Sequence, residues 1–89
     1  MKEPAIYDKT VMLSPQQIIV LAKTLHAPVI LYGKELYLNG YGEVQRRTAR
    51  ALQGKALLLW DASLLQYEIT QGGKTLIKAI VAAAQGGAA

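Results

Sequence analysis

The segment Gly42–Leu76, GEVQRRTARALQGKALLLWDASLLQYEITQGGKTL, decides the fold. Its first part is helical in period and carries three arginines. At ~100° per residue, Val44, Thr48, Ala51 and Leu52 fall on one side, and Arg46, Ala49, Arg50 and Gln53 on the other, with Arg47 on the flank. The pattern predicts a helix over 43–53 that presents its basic residues outward, stopped by Gly54 in a left-handed conformation. Two short β-rich runs follow, Ala56–Trp60 and Gln66–Thr70, around the polar loop Asp61–Leu65, and predict a hairpin over 57–70. From Gly73 onward Leu76, Ile77, Ile80 and Ala84 recur at helical spacing with Lys74 and Lys78 outward, which predicts a last helix over 73–84 and a frayed tail at 85–89.

Working outward toward the N-terminus, Asn39-Gly40-Tyr41-Gly42 is a turn sequence, because Asn and Gly tolerate positive φ. Before it, Val29–Tyr32 and Glu35–Leu38 are β-rich and separated by Gly33-Lys34, a two-residue loop with glycine first, as a type II′ hairpin turn requires. A hairpin over 29–38 follows. Ser14-Pro15-Gln16-Gln17 combines a preferred N-cap, a proline at the first helical position and a glutamine at the third. Ile18, Leu21, Ala22 and Leu25 then make one apolar stripe, Lys23 and His26 sit where a helix C-terminus favours positive charge, and Pro28 ends the helix. The helix is predicted over 14–26, with residues 1–11 as an extended arm. Ile18, Leu21, Leu25, Val44, Ala51, Leu52, Leu57, Leu59, Ile69, Leu76, Ile77 and Ile80 are the predicted core.

Eighty-nine residues suffice for one domain. Just over half are apolar and under a fifth charged, the balance of a packed globular chain. The absence of cysteine excludes disulfides, thiolate metal sites and cysteine nucleophiles. The first residues hold acids and a proline where a signal peptide has its apolar core, and no apolar run approaches the ~20 residues that span a bilayer. A soluble cytoplasmic protein without a membrane segment is the expectation. Between Glu43 and Lys55 four basic residues stand against one acid, so this short stretch carries three of the four net positive charges. Charge gathered on one helix is the electrostatic footprint of a nucleic-acid binder.

The order arginine helix, hairpin, glycine-led helix resembles the recognition helix, wing and closing helix of winged helix-turn-helix proteins, especially the small MarR-like and phage-type members. Tyr67-Glu68-Ile69-Thr70-Gln71-Gly72-Gly73-Lys74-Thr75-Leu76 is similar to the junction by which such proteins leave the second wing strand: Tyr67 and Ile69 alternate inward, Thr70 caps the coming helix and the glycines allow a tight start. The resemblance implies a single small winged-helix-like domain over 1–89, of α+β class, with about three helices and two β-hairpins. Two departures stand out. Where the family has a short helix before the recognition helix, residues 29–42 read as a hairpin and turn; and the wing tip, Asp61–Leu65, holds an aspartate and no Arg or Lys with which to enter a minor groove.

The resemblance implies a transcriptional regulator or a phage or mobile-element control protein, in which Arg46, Arg47, Arg50, Gln53 and Lys55 contact duplex DNA. Arg46, Arg50 and Gln53 would lie nearest the bases, since a guanidinium reads guanine and an amide reads adenine, with Arg47 and Lys55 on phosphates. The competing class is a protein-interaction module, such as a phage-encoded inhibitor of a host protein, whose arginines meet an acidic partner. Ile77, Val81 and Ala84 would offer an apolar edge for a homodimer through the last helix. The interleaved Tyr32, Tyr37, Tyr41 and Lys34 read as ordinary cross-strand contacts, and Trp60 as a core or wing-base anchor. Gly73-Lys74-Thr75 ends like a P-loop, but position 68 is Glu instead of the required glycine; Gly40-x-Gly42 lacks the third glycine of a dinucleotide fingerprint. With one histidine, six scattered acids and no cysteine, neither a metal cluster nor a nucleophilic triad can be assembled, and the expectation is a non-enzyme without cofactor or metal.

Overall fold

The structure, a computed structural model, describes residues 12–86. The predicted arm at 1–11 and the last part of the predicted tail, 87–89, lie outside them. Three helices and five strands follow in the order α1 (Pro15–Lys23), β1 (Val29–Tyr32), β2 (Glu35–Leu38), β3 (Gly42–Val44), α2 (Arg46–Gly54), β4 (Leu58–Asp61), β5 (Gln66–Ile69) and α3 (Gln71–Gly86). All strand pairs are antiparallel, in the order β3-β2-β1-β5-β4. The chain is thus a small α+β domain with three helices and both predicted hairpins. The hairpins are joined into one sheet by β1 against β5, where Val29 faces Tyr67 and the Leu31 N–H donates to the Leu65 carbonyl at 2.9 Å.

Alternation sorts the sheet into two faces. Val29, Leu36, Leu38, Val44, Leu58 and Tyr67 are buried on one, with Leu31, Trp60 and Ile69 half-buried beside them. The helices cover this face: α2 packs on β4, α3 on β5, and α1 on both helices. Val20, Leu21, Ala49, Leu52, Leu76 and Ile77 complete the core from above.

Helix α1 begins as its sequence requires. The Gln17 N–H donates to Ser14 Oγ at 3.2 Å while the Ser14 N–H donates to Gln17 Oε1 at 3.0 Å, so two orphan donors are satisfied reciprocally. Its regular part ends at Lys23, short of the predicted 26. Thr24, Leu25 and His26 continue it as tighter turns, bonded to the carbonyls of Leu21, Ala22 and Lys23.

The arginine helix departs from expectation at both ends. Glu43 and Val44 belong to β3, where Val44 pairs with Leu36, so α2 starts at Arg46 and not at 43. Gly42 makes this possible by adopting φ 112°, outside the range of L side chains. At the other end Gly54 lies inside the helix, and the left-handed residue is Ala56 at φ 62°. The Ala56 N–H donates to the Gln53 carbonyl and the Leu57 N–H to the Leu52 carbonyl, each at 2.9 Å, which is the Schellman pairing with alanine where glycine is usual.

This irregular exit resets the pleat. Leu57 is buried at the junction and regular alternation begins one residue later, so Leu58 faces the core and Leu59 is 63% exposed, against the prediction that Leu59 is buried. The buried arc of α2 is likewise rotated: Ala49, expected outward, is 0% exposed, because Thr48, Ala49 and Leu52 together meet the sheet and α1, leaving Ala51 half-buried.

The junction between the second hairpin and α3 is built as anticipated. Thr70 Oγ1 donates to the Ala56 carbonyl at 2.7 Å and accepts from the Gly73 N–H at 2.9 Å. A Cβ on Gly73 would stand 2.5 Å from the Leu57 carbonyl oxygen, so only glycine lets the helix pass the strand this closely. The helix starts at Gln71, two residues before the prediction, and carries Gln85 and Gly86, which were assigned to the tail.

Candidate nucleic-acid interface

Placed on this framework, α2 runs along the covered face of the sheet with its N-terminus at the tip of the β1–β2 hairpin, where Arg46 donates from Nη2 to the Lys34 carbonyl. That tip is the two-residue turn expected from Gly33-Lys34, with Tyr32 opposite Glu35 and Gly33 at φ 65°. Arg46, Arg50 and Gln53 are exposed and follow one another along one side of the helix, while Arg47 is exposed on its flank and Lys55 caps its C-terminus. All five predicted contact residues are therefore at the surface. Arg47 Nε donates to Gln45 Oε1 at 3.1 Å, and Tyr67 Oη donates to Gln53 Oε1 at 3.3 Å.

Arg46, Arg50 and Gln53 do not simply project into solvent. Together with Leu31, Leu36, Trp60 and Tyr67 they line a hollow of about 330 Å³ between the helix and the uncovered part of the inner sheet face. Leu31 and Trp60 point toward the core side but remain half-buried because this hollow opens above them. Helical phase alone placed the arginines outward; that their outward side overhangs the second hairpin is a tertiary fact, for which Trp60 at an inward position of the β4 alternation was the only available signal.

The N-terminal turn of α2 is electrostatically unusual. It has no acidic residue, its N-cap Gln45 makes no side-chain cap, and Arg46 and Arg47 occupy its first two positions. The unpaired N–H groups and the helix dipole make that end positive already, so cations there cost stability and anions would recover it.

Charge is segregated across the sheet. Of the described residues, none of the eight Lys and Arg lies in a strand, whereas all four acids, Glu35, Glu43, Asp61 and Glu68, lie on strands with their phase on the bare face. Glu43 titrates above the ordinary carboxylate range, chiefly through a side-chain hydrogen bond with Glu35 and then through repulsion from its charge. Asp61 is held below that range by the Ser63 hydroxyl and then by the Leu64 and Ser63 N–H groups, which close the β4–β5 turn. Asp61 thus serves the β4–β5 turn, which holds no Lys or Arg.

The Tyr32 and Tyr37 rings meet edge to face at 6.3 Å across β1 and β2, as cross-strand neighbours do, whereas Tyr41 stands in the turn before β3, against the cross-strand expectation, and accepts through its hydroxyl from Gln16 Nε2. Trp60 pairs with Tyr67 next to the turn end of the second hairpin, not at its base, and packs against the edge of the core with the two ring centroids 4.9 Å apart. Ile77 is fully buried and so cannot belong to an apolar edge on α3, where Val81 is exposed. Among the described residues no three His, Asp or Glu gather as a metal site, and no helix is long and apolar enough to cross a membrane.

Comparison with known proteins returns no match: no protein-family profile, no curated protein and no solved structure is similar to the chain.

Proposed function

We propose that the chain is a small DNA-binding protein, a transcriptional regulator or a phage or mobile-element control protein, that contacts duplex DNA through α2. The observation that carries this reading is the first turn of α2, where two arginines and no acid or side-chain cap stand at the positive end of a helix. A sequence shaped for stability alone would place Asp or Glu there; local choices that oppose the fold mark the places where function is served. Phosphate oxygens supply the missing anions. Arg46, Arg50 and Gln53 are assigned to the bases and Arg47 and Lys55 to the backbone, as the helical arrangement supports.

Titration of duplex DNA with salt tests the reading. Log affinity should fall linearly with log salt at about −0.9 per phosphate neutralised, and Arg47→Ala should reduce that slope by about one. Absence of salt-sensitive association with duplex DNA at low ionic strength would refute it.

A second reading rests on the bare face of the sheet. Ile30, Tyr32, Tyr37 and Leu59 are all exposed there among the four acids, a composition suited to a protein partner. Under this reading, duplex DNA fails to bind and a protein target loses affinity when Tyr32 and Leu59 are replaced.

A further inference from the structure

A helix that reads base edges needs donors on its exposed side, yet Arg46 and Arg50 stand over an aromatic floor. The hollow beneath them, about 330 Å³, lies at the lower end of the range that holds small ligands. Its floor includes Trp60 and Tyr67, whose ring centroids are 4.9 Å apart at 60°, with Leu31 beside them. No carboxylate lines it, so nothing within the hollow neutralises the two guanidinium groups. The Tyr67 hydroxyl is engaged by Gln53, which leaves the rings to act as an apolar surface.

Two cations beside a half-buried indole have the chemistry of a site for one nucleotide out of its stack. A base presents a flat π-face to an aromatic side chain, and its phosphate pairs with a guanidinium. A base kept in a duplex stack cannot reach such a floor, because its faces are covered by its neighbours. Resting on the reading that α2 binds DNA, we propose that this hollow receives one unpaired, extrahelical nucleotide, with the base against Trp60 and Leu31 and its phosphate on Arg50, which faces a base edge only in a fully paired duplex.

The test uses the full chain and three duplexes of one sequence: fully paired, carrying a single unpaired thymidine, and carrying an abasic residue at that same place. Trp60 is the chain's only tryptophan, so its emission reports on the hollow directly. The unpaired-thymidine duplex should quench that emission and bind about tenfold more tightly than the other two, the scale of one base–aromatic stack. Trp60→Leu should remove this preference and leave affinity for the paired duplex within about twofold. The emission measurement on the unaltered chain stands even if that variant fails to fold. Salt-sensitive binding of all three duplexes with equal affinity and unmoved Trp60 emission would overturn the hollow while sparing the α2 reading; failure of all three to bind would overturn both.

Discussion

The two faces of the sheet are made from the same strands by the same alternation, yet they carry opposite chemistry. The inner face presents Val29, Leu36, Leu38, Val44, Leu58 and Tyr67 to three helices, with a hollow left beside α2. The outer face is uncovered, with Tyr32 opposite Glu35, Tyr37 opposite Glu43 and Leu59 opposite Glu68. Every described acid belongs to that outer face, and the basic residues stand on helices and turns. A formal charge of +4 spread evenly would steer nothing in particular; divided this way it gives the molecule a positive helical side and a negative sheet side.

The largest effect of disturbing this division should come from the covered side. Leu52 is fully buried where α2 meets the sheet, and Leu52→Ala should cost about 2–5 kcal/mol, read from denaturant unfolding. Gly73→Ala should also destabilise, by about 1–3 kcal/mol, since its methyl group meets the backbone carbonyl of Leu57. An unchanged midpoint for either variant would mean that the packing of α2 or α3 on the sheet is misassigned.

Smaller effects should have the opposite sign. Ala56 holds a left-handed conformation at the end of α2, and Ala56→Gly should stabilise by about 1 kcal/mol because glycine adopts that conformation without strain. Arg47→Glu should stabilise by about the same amount by complementing the helix dipole, and should at the same time weaken DNA binding. A variant more stable yet poorer at binding is the signature of residues retained for function; lower stability from Arg47→Glu would remove that argument.

The smallest effect concerns the outer face. The Glu43 pKa is raised in the folded chain, so its contribution to stability is full below the unfolded carboxylate range and is lost as pH rises through the folded pKa. Glu43→Gln should therefore raise the melting temperature slightly at neutral pH and leave it unimproved in acid. A gain that is the same at both pH values would show that Glu35 and Glu43 do not interact.

Local signals were legible where one residue type has one use. Ser14-Pro15-Gln16-Gln17 forms the capping box, Gly33-Lys34 the hairpin turn, and Thr70 with Gly73 the start of α3. The misreadings lie where one residue pattern suits two outcomes. Ala49 is small enough for either side of a helix, and only the contact of α2 with both sheet and α1 shows it to be buried. Leu57, Leu58 and Leu59 are alike in sequence, and the left-handed Ala56 decides which two turn inward. Val44 suited a helical stripe as well as a strand, until its pairing with Leu36 fixed it in β3. The exposure of Arg46, Arg47, Arg50 and Gln53 follows from their helical phase, but the floor beneath them depends on the second hairpin passing under α2.

The central claim is that duplex DNA meets the helical side of the molecule, and it is tested most directly by comparing charge changes on the two faces in one binding assay. Arg46→Ala with Arg50→Ala should abolish specific duplex binding with the domain still folded, whereas Glu35→Gln with Glu43→Gln should leave it intact or slightly strengthen it. A double arginine variant that folds and binds DNA like the unaltered chain would contradict the account.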